Sequence, residues 1–207
     1  KDKLVAFLTL KRIFIFIMVL FVSLFSYLSA PHLYNSKNLV ANIKNQLSEN
    51  LKLNFNLSNN YKYNLFPKPN FEFEANTFLN EVESSGEIKV YISPKHLLFP
   101  NKIEIRDVIF NKINFNLNKE NYNFFIRLLH GNYSNFPLKI KNSNIFYKNM
   151  ENGVLFINKI KELEYFYDIK NLENVLLTEN EIFNIPYKLK VVDDSIKEKI
   201  ITKINLD

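Results

Sequence analysis

The chain of 207 residues has no cysteine, only three glycines and only three arginines. Without cysteine, it can form neither a disulfide bond nor a cysteine-ligated metal site. Three glycines are too few for the glycine-rich loops that cradle phosphate groups, and the chain has no Walker-type sequence. These shortages exclude redox dithiol, zinc-ribbon and nucleotide-loop proteins.

The scarcity of arginine also affects how the net charge of +6 at pH 7 is interpreted, because a positive charge alone could suggest nucleic-acid binding. Direct readout of bases relies heavily on arginine, and a nucleic-acid surface needs its basic residues clustered on one face. Here Arg12, Arg106 and Arg127 are far apart, and the lysines are scattered among many asparagine, isoleucine and phenylalanine residues. This composition is typical of AT-rich coding sequence, so we expect no nucleic-acid partner.

Residues that commonly carry catalysis show no useful pattern. His32, His96 and His130 are distant in sequence, and none has a second ligand at metal-binding spacing. The chain has no Gly-x-Ser-x-Gly sequence and no His-Glu pair. Glu72 and Glu74 lie two residues apart on one face of a predicted strand, which is typical of a solvated face. We therefore expect a protein that is not an enzyme and has no cofactor or metal.

The dominant feature that is present is an uncharged apolar run at residues 13–30, IFIFIMVLFVSLFSYLSA. As a helix it would be roughly 27 Å long, close to the hydrocarbon thickness of a bilayer. A secretory signal peptide has a shorter apolar core and small residues at positions −3 and −1, whereas cleavage after Ala30 would leave Leu28 at −3. The run predicts a retained transmembrane helix; a cleaved signal peptide and a buried soluble helix are the alternatives.

Basic residues predict the orientation of this helix, because they are retained preferentially on the cytoplasmic side. Four precede the run, namely Lys1, Lys3, Lys11 and Arg12, and two follow it closely, namely Lys37 and Lys44. We expect residues 1–12 in the cytoplasm and residues 31–207 across the membrane. The chain begins without methionine and ends inside an apparent strand, so we expect the body over 31–207 to be truncated at its C-terminus.

Beyond the run, the hydrophobic period changes from helical to alternating. Residues 35–51 place an apolar side chain at every fourth position, which predicts an amphipathic helix with Ser36 as N-cap. Two further short helices are predicted at 93–99 and 122–129. Alternating segments predict strands at 53–57, 71–74, 87–92, 103–106, 108–110, 113–118, 138–141, 145–148, 154–157, 159–166, 182–192 and 199–206. Short strands without long helices between them predict an antiparallel meander.

These strands pose a packing problem, because each has an apolar face and few helices can cover them. Two sheets could bury each other as a β-sandwich. Alternatively, one curved antiparallel sheet forms an open groove whose apolar face is filled by an apolar guest, since exposure to water costs about 25 cal/mol per Å². In the groove arrangement, the residues expected to contact lipid are Ile103, Ile105, Ile113, Phe115, Leu117, Leu138, Ile140, Leu155 and Ile157.

Several short motifs resemble the N-terminal region of the AsmA-like family, which is related to TamB and to bridge-like lipid-transfer proteins. The shared order is an anchor, an amphipathic helix and a short strand, followed by an LFPxP element that LFPKP at 65–69 resembles. EIKVYISPKHLLF at 87–99 resembles the family's strand and short helix, and KIEIRDVIFNKINFNL at 102–117 resembles its next strand. KIKNSNIFYKN at 139–149 resembles I-x-N-G-x-I-x-Y-x-D, with Ser143 in place of glycine.

The sequence departs from the family pattern at two further positions. Asn149 stands where aspartate is usual, and Asn50-Leu51 replaces the Thr-Gly pair that commonly ends the first helix. The resemblance implies a protein anchored in the inner membrane of a Gram-negative cell, with a β-rich body in the periplasm. It also implies phospholipid as a ligand, other envelope proteins as partners, and a part in lipid transport or outer-membrane biogenesis. The alternative function is an envelope assembly scaffold that binds a protein by strand addition.

Overall fold

The computed structural model describes residues 2–51, 53–76, 82–125, 136–194 and 199–206. It is mainly β, with an N-terminal apolar helix α1 at Asp2–Ser29 that runs into a 3-10 helix at Ala30–Leu33. The stretch Lys11–Leu33 is long and apolar enough to cross a membrane, and only 6% of its apolar window is buried. A long apolar helix that packs against almost nothing is consistent with a single-pass membrane anchor.

Helix α2, at Ser36–Leu51, confirms the predicted amphipathic helix. Its N-cap is Asn35 rather than Ser36: the Asn35 Oδ1 accepts hydrogen bonds from the backbone N–H groups of Lys37, at 3.1 Å, and Asn38, at 3.3 Å. Asparagine and serine are equally good N-caps, and Asn35 takes this role because it is the residue directly before the first helical residue, Ser36. The buried stripe of α2 consists of Leu39, Val40, Ile43, Leu47 and Leu51.

Within the described residues, nine strands form one open sheet in which the spatial order is the chain order. They are β1 Lys62–Asn64, β2 Asn70–Asn76, β3 Glu83–Ile92, β4 Ile105–Leu117, β5 Leu138–Lys148, β6 Val154–Asp168, β7 Glu173–Ile182, β8 Ile185–Asp194 and β9 Lys199–Leu206. The described strands do not divide into the two sheets of a sandwich. All neighbours are antiparallel except β4 and β5, which run parallel with Val108 opposite Leu138.

The parallel pair corrects the predicted uninterrupted antiparallel meander. Parallel neighbours need a crossover connection rather than a hairpin. The crossover here is 118–137, and much of it, including most of the predicted helix 122–129, lies outside the described residues; Phe124 and Phe125 are helical. The predicted helix at 93–99 is a turn, followed by a 3-10 helix at Pro100–Lys102. Of the predicted strand 53–57, only Phe55 forms a β-bridge.

The predicted strand 182–192 is divided by a two-residue turn. Phe183 and Asn184 both have positive φ, 52° and 62°, and they separate β7 from β8, with Ile182 opposite Ile185. Positive φ at both central residues is the geometry of a tight hairpin turn, for which asparagine is well suited and phenylalanine is not. The residue types at positions 183 and 184 therefore do not clearly predict a turn.

A line of irregular residues crosses the middle of the sheet. In β4, β5 and β6 one extra residue interrupts the alternation of buried and exposed side chains: Lys112, Asn142 and Lys161. Lys112 and Asn142 adopt positive φ, and so does Gly86 of β3, which lies against the Lys112 carbonyl. The Ser143 hydroxyl accepts the Ile113 N–H at 3.0 Å and donates to the Lys141 carbonyl. Such bulges bend strands and increase their twist.

Tyrosine hydroxyls hold the end of α1 against the body. Tyr27 donates to the Pro94 carbonyl at 2.8 Å and accepts from the Leu97 N–H at 3.3 Å. Tyr63 donates to the Leu28 carbonyl at 2.7 Å, and Tyr34 donates to the Leu97 carbonyl. Burial raises the pKa of Tyr34 and of Tyr63 to about 12, so both hydroxyls stay protonated at neutral pH. The helix end therefore has four separate hydrogen bonds to the sheet and its loops.

Candidate binding cavity on the inner face of the sheet

The two faces of the sheet differ sharply in chemistry. The inner face is the one whose side chains join α2 in a single hydrophobic cluster, and it includes Phe71, Ile88, Phe110 and Phe115, all essentially buried. The outer face has rows of opposite charges. Lys139 contacts Asp107 at 3.7 Å and Glu164 at 3.3 Å, and Lys141 contacts Glu162 at 2.8 Å. Where these ion pairs lie, the outer face is charged while the inner face is apolar.

Several carboxylates on the outer face form ion pairs with lysines. The Lys141 ammonium lowers the pKa of the Glu162 carboxyl, and burial raises the pKa of Asp107 while Lys139 opposes that shift. Glu72 pairs with Lys89 at 3.1 Å, and Glu74 pairs with Lys62 at 3.0 Å. Both predicted carboxylates thus belong to the charged outer face.

Helix α2 shares one buried cluster with the inward residues of β2–β5 and with Ile160, Leu163 and Leu176 of β6 and β7. Over β2–β5 the inward residues are buried beneath it, and Gln46 fixes the helix by donating to the Ile103 carbonyl at 2.7 Å. Beyond β5 the inward residues of the next strands border a cavity of about 240 Å³, which we call the inner-face cavity. Its lining is Phe125, Ile145, Tyr147, Asn158, Ile160, Leu163, Leu176, Thr178, Asn180, Tyr187, Leu189 and Val191.

A small polar cluster interrupts this mainly apolar lining. The Asn158 Nδ2 donates to the Tyr187 hydroxyl at 3.0 Å, and the Thr178 hydroxyl donates to the Asn180 Oδ1 at 2.6 Å. The Asn158 Oδ1 is buried and has no hydrogen-bond partner among the described residues. A mostly apolar cavity with a few polar groups is the usual composition of a ligand site, and polar groups orient what binds there.

The apolar inner face continues past the cavity to the edge of the sheet. Leu206 lies opposite Tyr187, and Ile204 lies opposite Leu189, so both β9 side chains share the face of the cavity. Ile185, opposite Ile182, is on the same face. Ile185, Ile204 and Leu206 are all exposed. No described element covers this part of the inner face.

The nine residues predicted to contact lipid do not lie together on one accessible surface. Seven are buried in the core beneath α2: Ile103, Ile105, Ile113, Phe115, Leu117, Leu138 and Ile140. Leu155 and Ile157 are exposed, and Ile157 is on the outer face, because it lies opposite Phe146 while its neighbour Asn158 lines the cavity. None of the nine is among the residues that line the inner-face cavity. As lipid contacts they stay a prediction.

Sequence reasoning missed the residues that do line the cavity. Leu176, Thr178 and Asn180 alternate with outward residues in β7, but 173–181 was not predicted as a strand. Tyr187, Leu189 and Val191 were placed in one strand with residue 182, so their pairing with β7 was hidden. The alternation itself was the available signal. A turn at Phe183 was needed to interpret it.

The histidines also lie apart. His32 contacts the Tyr63 ring edge-on at 5.0 Å, and His96 has positive φ in the turn after β3. His130 lies outside the described residues. Within the described ranges, no group of histidine, aspartate and glutamate side chains could hold a metal ion.

Comparison with protein-family models and with curated proteins finds no match to this chain. The resemblance to the AsmA-like family therefore stays an interpretation of short motifs. The features that bear on function are the apolar N-terminal helix, the exposed part of the inner face and the inner-face cavity.

Proposed function

We propose that this chain is a membrane-anchored protein that binds phospholipid acyl chains at the inner-face cavity and along the exposed part of the inner face beyond it. In this proposal α1 spans the bacterial inner membrane with its N-terminus in the cytoplasm. The body lies in the periplasm and contributes to lipid transport or outer-membrane biogenesis, as the AsmA-like resemblance implies. No catalytic step is part of the proposal.

The observation that carries the proposal is the change from a covered to an uncovered apolar face within one sheet. Inward residues of β2–β5 are buried under α2, whereas Ile185, Ile204 and Leu206 are exposed on the same face beyond the cavity. Removing apolar surface from water lowers the free energy by roughly 25 cal/mol per Å², which corresponds to about 0.8 kcal/mol for each methylene of a bound acyl chain. A ligand without charge along its length is favoured on such a face.

The membrane that α1 crosses in this proposal is a source of such a ligand. A helix that crosses the bilayer keeps the sheet next to a large pool of acyl chains. The polar cluster at Asn158 and Tyr187 would contact the one polar part of an otherwise apolar guest, because buried polar atoms without partners are costly. The membrane-spanning helix and the apolar face thus both favour phospholipid as the ligand.

Site-specific photocrosslinking in membranes tests the proposal on the full chain. A benzophenone amino acid replaces Leu189 in the cavity lining, and in a matched control it replaces Lys190, the next residue, which faces outward. We expect labelled phospholipid to be captured from position 189 and not from position 190. Equal capture at both positions, or none at 189, would contradict the proposal.

A second function, a scaffold that binds a protein by strand addition, is favoured by one observation. Strand β9 pairs with β8 alone among the described strands, and all eight of its residues are exposed. An uncovered strand edge presents a row of backbone groups to a partner strand. The same benzophenone placed at Lys203 tests it: a discrete protein adduct with no lipid adduct at position 189 would favour the scaffold.

A further inference from the structure

Four exposed apolar side chains surround the end of the anchor helix. Leu33 is 89% exposed, Phe66 is 76% exposed, Leu98 is 60% exposed and Phe99 is 54% exposed. Leu33 ends the 3-10 helix that follows α1. Phe66 belongs to the β1–β2 connection, and Leu98 and Phe99 belong to the connection between β3 and β4. Isolated exposed apolar residues need no explanation, but a group of them around one feature does.

Both connections lie at the same end of the sheet. The Ile92 N–H at the end of β3 donates to the carbonyl of Pro69, which precedes β2, at 3.1 Å. Strand β2 starts opposite Tyr91, close to the last residue of β3. The segments 65–69 and 94–102 are therefore neighbours, and together we call them the anchor-side loops.

The hydrogen bonds of α1 fix the anchor-side loops at the depth of the helix end. Tyr27, which bonds Pro94 and Leu97, lies inside the apolar span Lys11–Leu33. Tyr63, which closely precedes the 65–69 segment, bonds Leu28 in the same span. A residue next to Leu97 thus lies beside the last turns of the helix. Tyrosine is enriched at this level, because its ring and hydroxyl suit the boundary between acyl chains and headgroups.

Basic side chains accompany the apolar ones. Lys68 is in the first anchor-side loop, and Lys95 and Lys102 are in the second; neither segment contains an acidic residue, and Glu104 is the first one beyond. The Lys102 Nζ lies 5.3 Å from the centre of the Phe99 ring. Apolar side chains combined with lysines are typical of elements that lie in the interface of membranes with anionic lipids.

We propose that the anchor-side loops form a second membrane contact, with Phe66, Leu98 and Phe99 inserted among the headgroups of the bilayer that α1 spans. The partner is an anionic lipid surface. Contacts at the helix and at two loops prevent the sheet from rotating freely on a single tether. This inference requires α1 to span the membrane, and it is independent of whether the inner-face cavity binds lipid.

Tryptophan fluorescence in bilayers tests this contact, because the chain has no tryptophan of its own. The full chain carries a single Phe99→Trp or Leu98→Trp substitution in vesicles of phosphatidylcholine and phosphatidylglycerol. Bromine atoms are placed either near the headgroup or near the chain end of the lipids. We expect both tryptophans to be quenched more strongly by the shallow bromines than by the deep ones.

Two control variants define the quenching expected at the centre of the bilayer and far from the membrane. Phe21→Trp, in the middle of the apolar run, should be quenched most by the deep bromines. Met150→Trp, in the exposed turn after β5, should be quenched by neither, because the eleven residues of β5 span roughly 35 Å. All four substituted residues are exposed, so the fold should tolerate the changes.

The outcomes separate the loop contact from the anchor. Quenching of Phe21→Trp together with position 98 or 99 as unquenched as position 150 would overturn the loop contact while leaving the anchor intact. An unquenched Phe21→Trp would overturn both. A second measurement uses Lys95→Gln and Lys102→Gln in the Leu98→Trp background. These changes should reduce shallow quenching in vesicles with phosphatidylglycerol and leave it unchanged in pure phosphatidylcholine.

Discussion

Replacing Leu47 and Leu189 by alanine should separate stability from lipid binding. Both are leucines directed at the inner face, but Leu47 is completely buried in α2, whereas Leu189 is half-buried and lines the cavity. The same atoms are deleted in both variants. Any difference between them therefore reports whether the surroundings are filled by the protein or left open for a ligand.

The expected loss of stability follows from the burial of each side chain. Deleting a fully buried leucine costs roughly 2–5 kcal/mol, because contacts are lost and a void remains. In a chain of this size each kcal/mol lowers Tm by about 2–4 °C, so Leu47→Ala should lower it by roughly 4–20 °C. Leu189 already faces a cavity, so Leu189→Ala should cost only about 1 kcal/mol.

The expected loss of affinity has the opposite order. Each methylene contact removed from a bound acyl chain weakens binding by up to about 0.8 kcal/mol, so the loss of one or two such contacts in Leu189→Ala should raise Kd roughly 4- to 15-fold. Leu47→Ala should leave Kd unchanged. The measurements are thermal unfolding by circular dichroism and titration with a phospholipid that carries a fluorescent acyl chain, both on the full chain.

Two results would refute this reasoning. Equal destabilisation by both substitutions would mean that Leu189 is packed as well as Leu47. A loss of affinity in Leu47→Ala alone would place the ligand beneath α2, among the seven core residues that include Ile113 and Leu138. The second result would restore the groove predicted from the sequence.

Three further predictions concern backbone, pH and the polar cluster. Gly86→Ala should lower the free energy of unfolding by roughly 1–3 kcal/mol, because φ is +149° and the new Cβ would lie 2.7 Å from the Lys112 carbonyl oxygen. Chemical denaturation measures this loss, and Gly153→Ala is the control, because its new Cβ would meet only the Asn149 side chain. The pKa of Tyr63 is raised from 10.0 to about 12, so its contribution to stability is complete below pH 10 and is lost as pH rises towards 12; Tyr63→Phe should flatten the unfolding profile in that window, and an unchanged profile would show that the hydroxyl contributes nothing there. Asn158→Leu removes the amide that we expect to contact the polar part of a bound phospholipid, so affinity should fall by a factor corresponding to about 1–3 kcal/mol, and unchanged or stronger binding would mean that the ligand does not contact the polar cluster.

The sequence predicted those features that depend on local periodicity. The charge-free run at 13–30 could only be a long apolar helix, and the four-residue spacing of Leu39, Ile43, Leu47 and Leu51 defined α2. Strands such as β2 and β9 were found because one face is apolar and the other polar. The positions of these elements thus depend on short-range patterns alone.

Features that depend on pairing could not be predicted in this way. The parallel β4–β5 pair depends on where a crossover returns the chain, which alternation does not encode. The division between β7 and β8 depends on positive φ at Phe183, a residue with no preference for that geometry. Because the cavity lining is drawn from β5 to β8, an error in one turn was enough to hide it.

The three extra residues in the middle of the sheet have a consequence for its shape. Without Lys112, Asn142 and Lys161, the inward and outward side chains of β4, β5 and β6 would follow a strict alternation, and the ladders from β3 to β7 would be regular, with Gly86 opposite Ile113 and Ile160 next to Glu162. The separation of apolar and charged side chains onto opposite faces therefore does not depend on these three residues. Bulges of this kind bend and twist the strands that contain them, here β4, β5 and β6, and a triple deletion would remove the bulges while every remaining side chain kept its side.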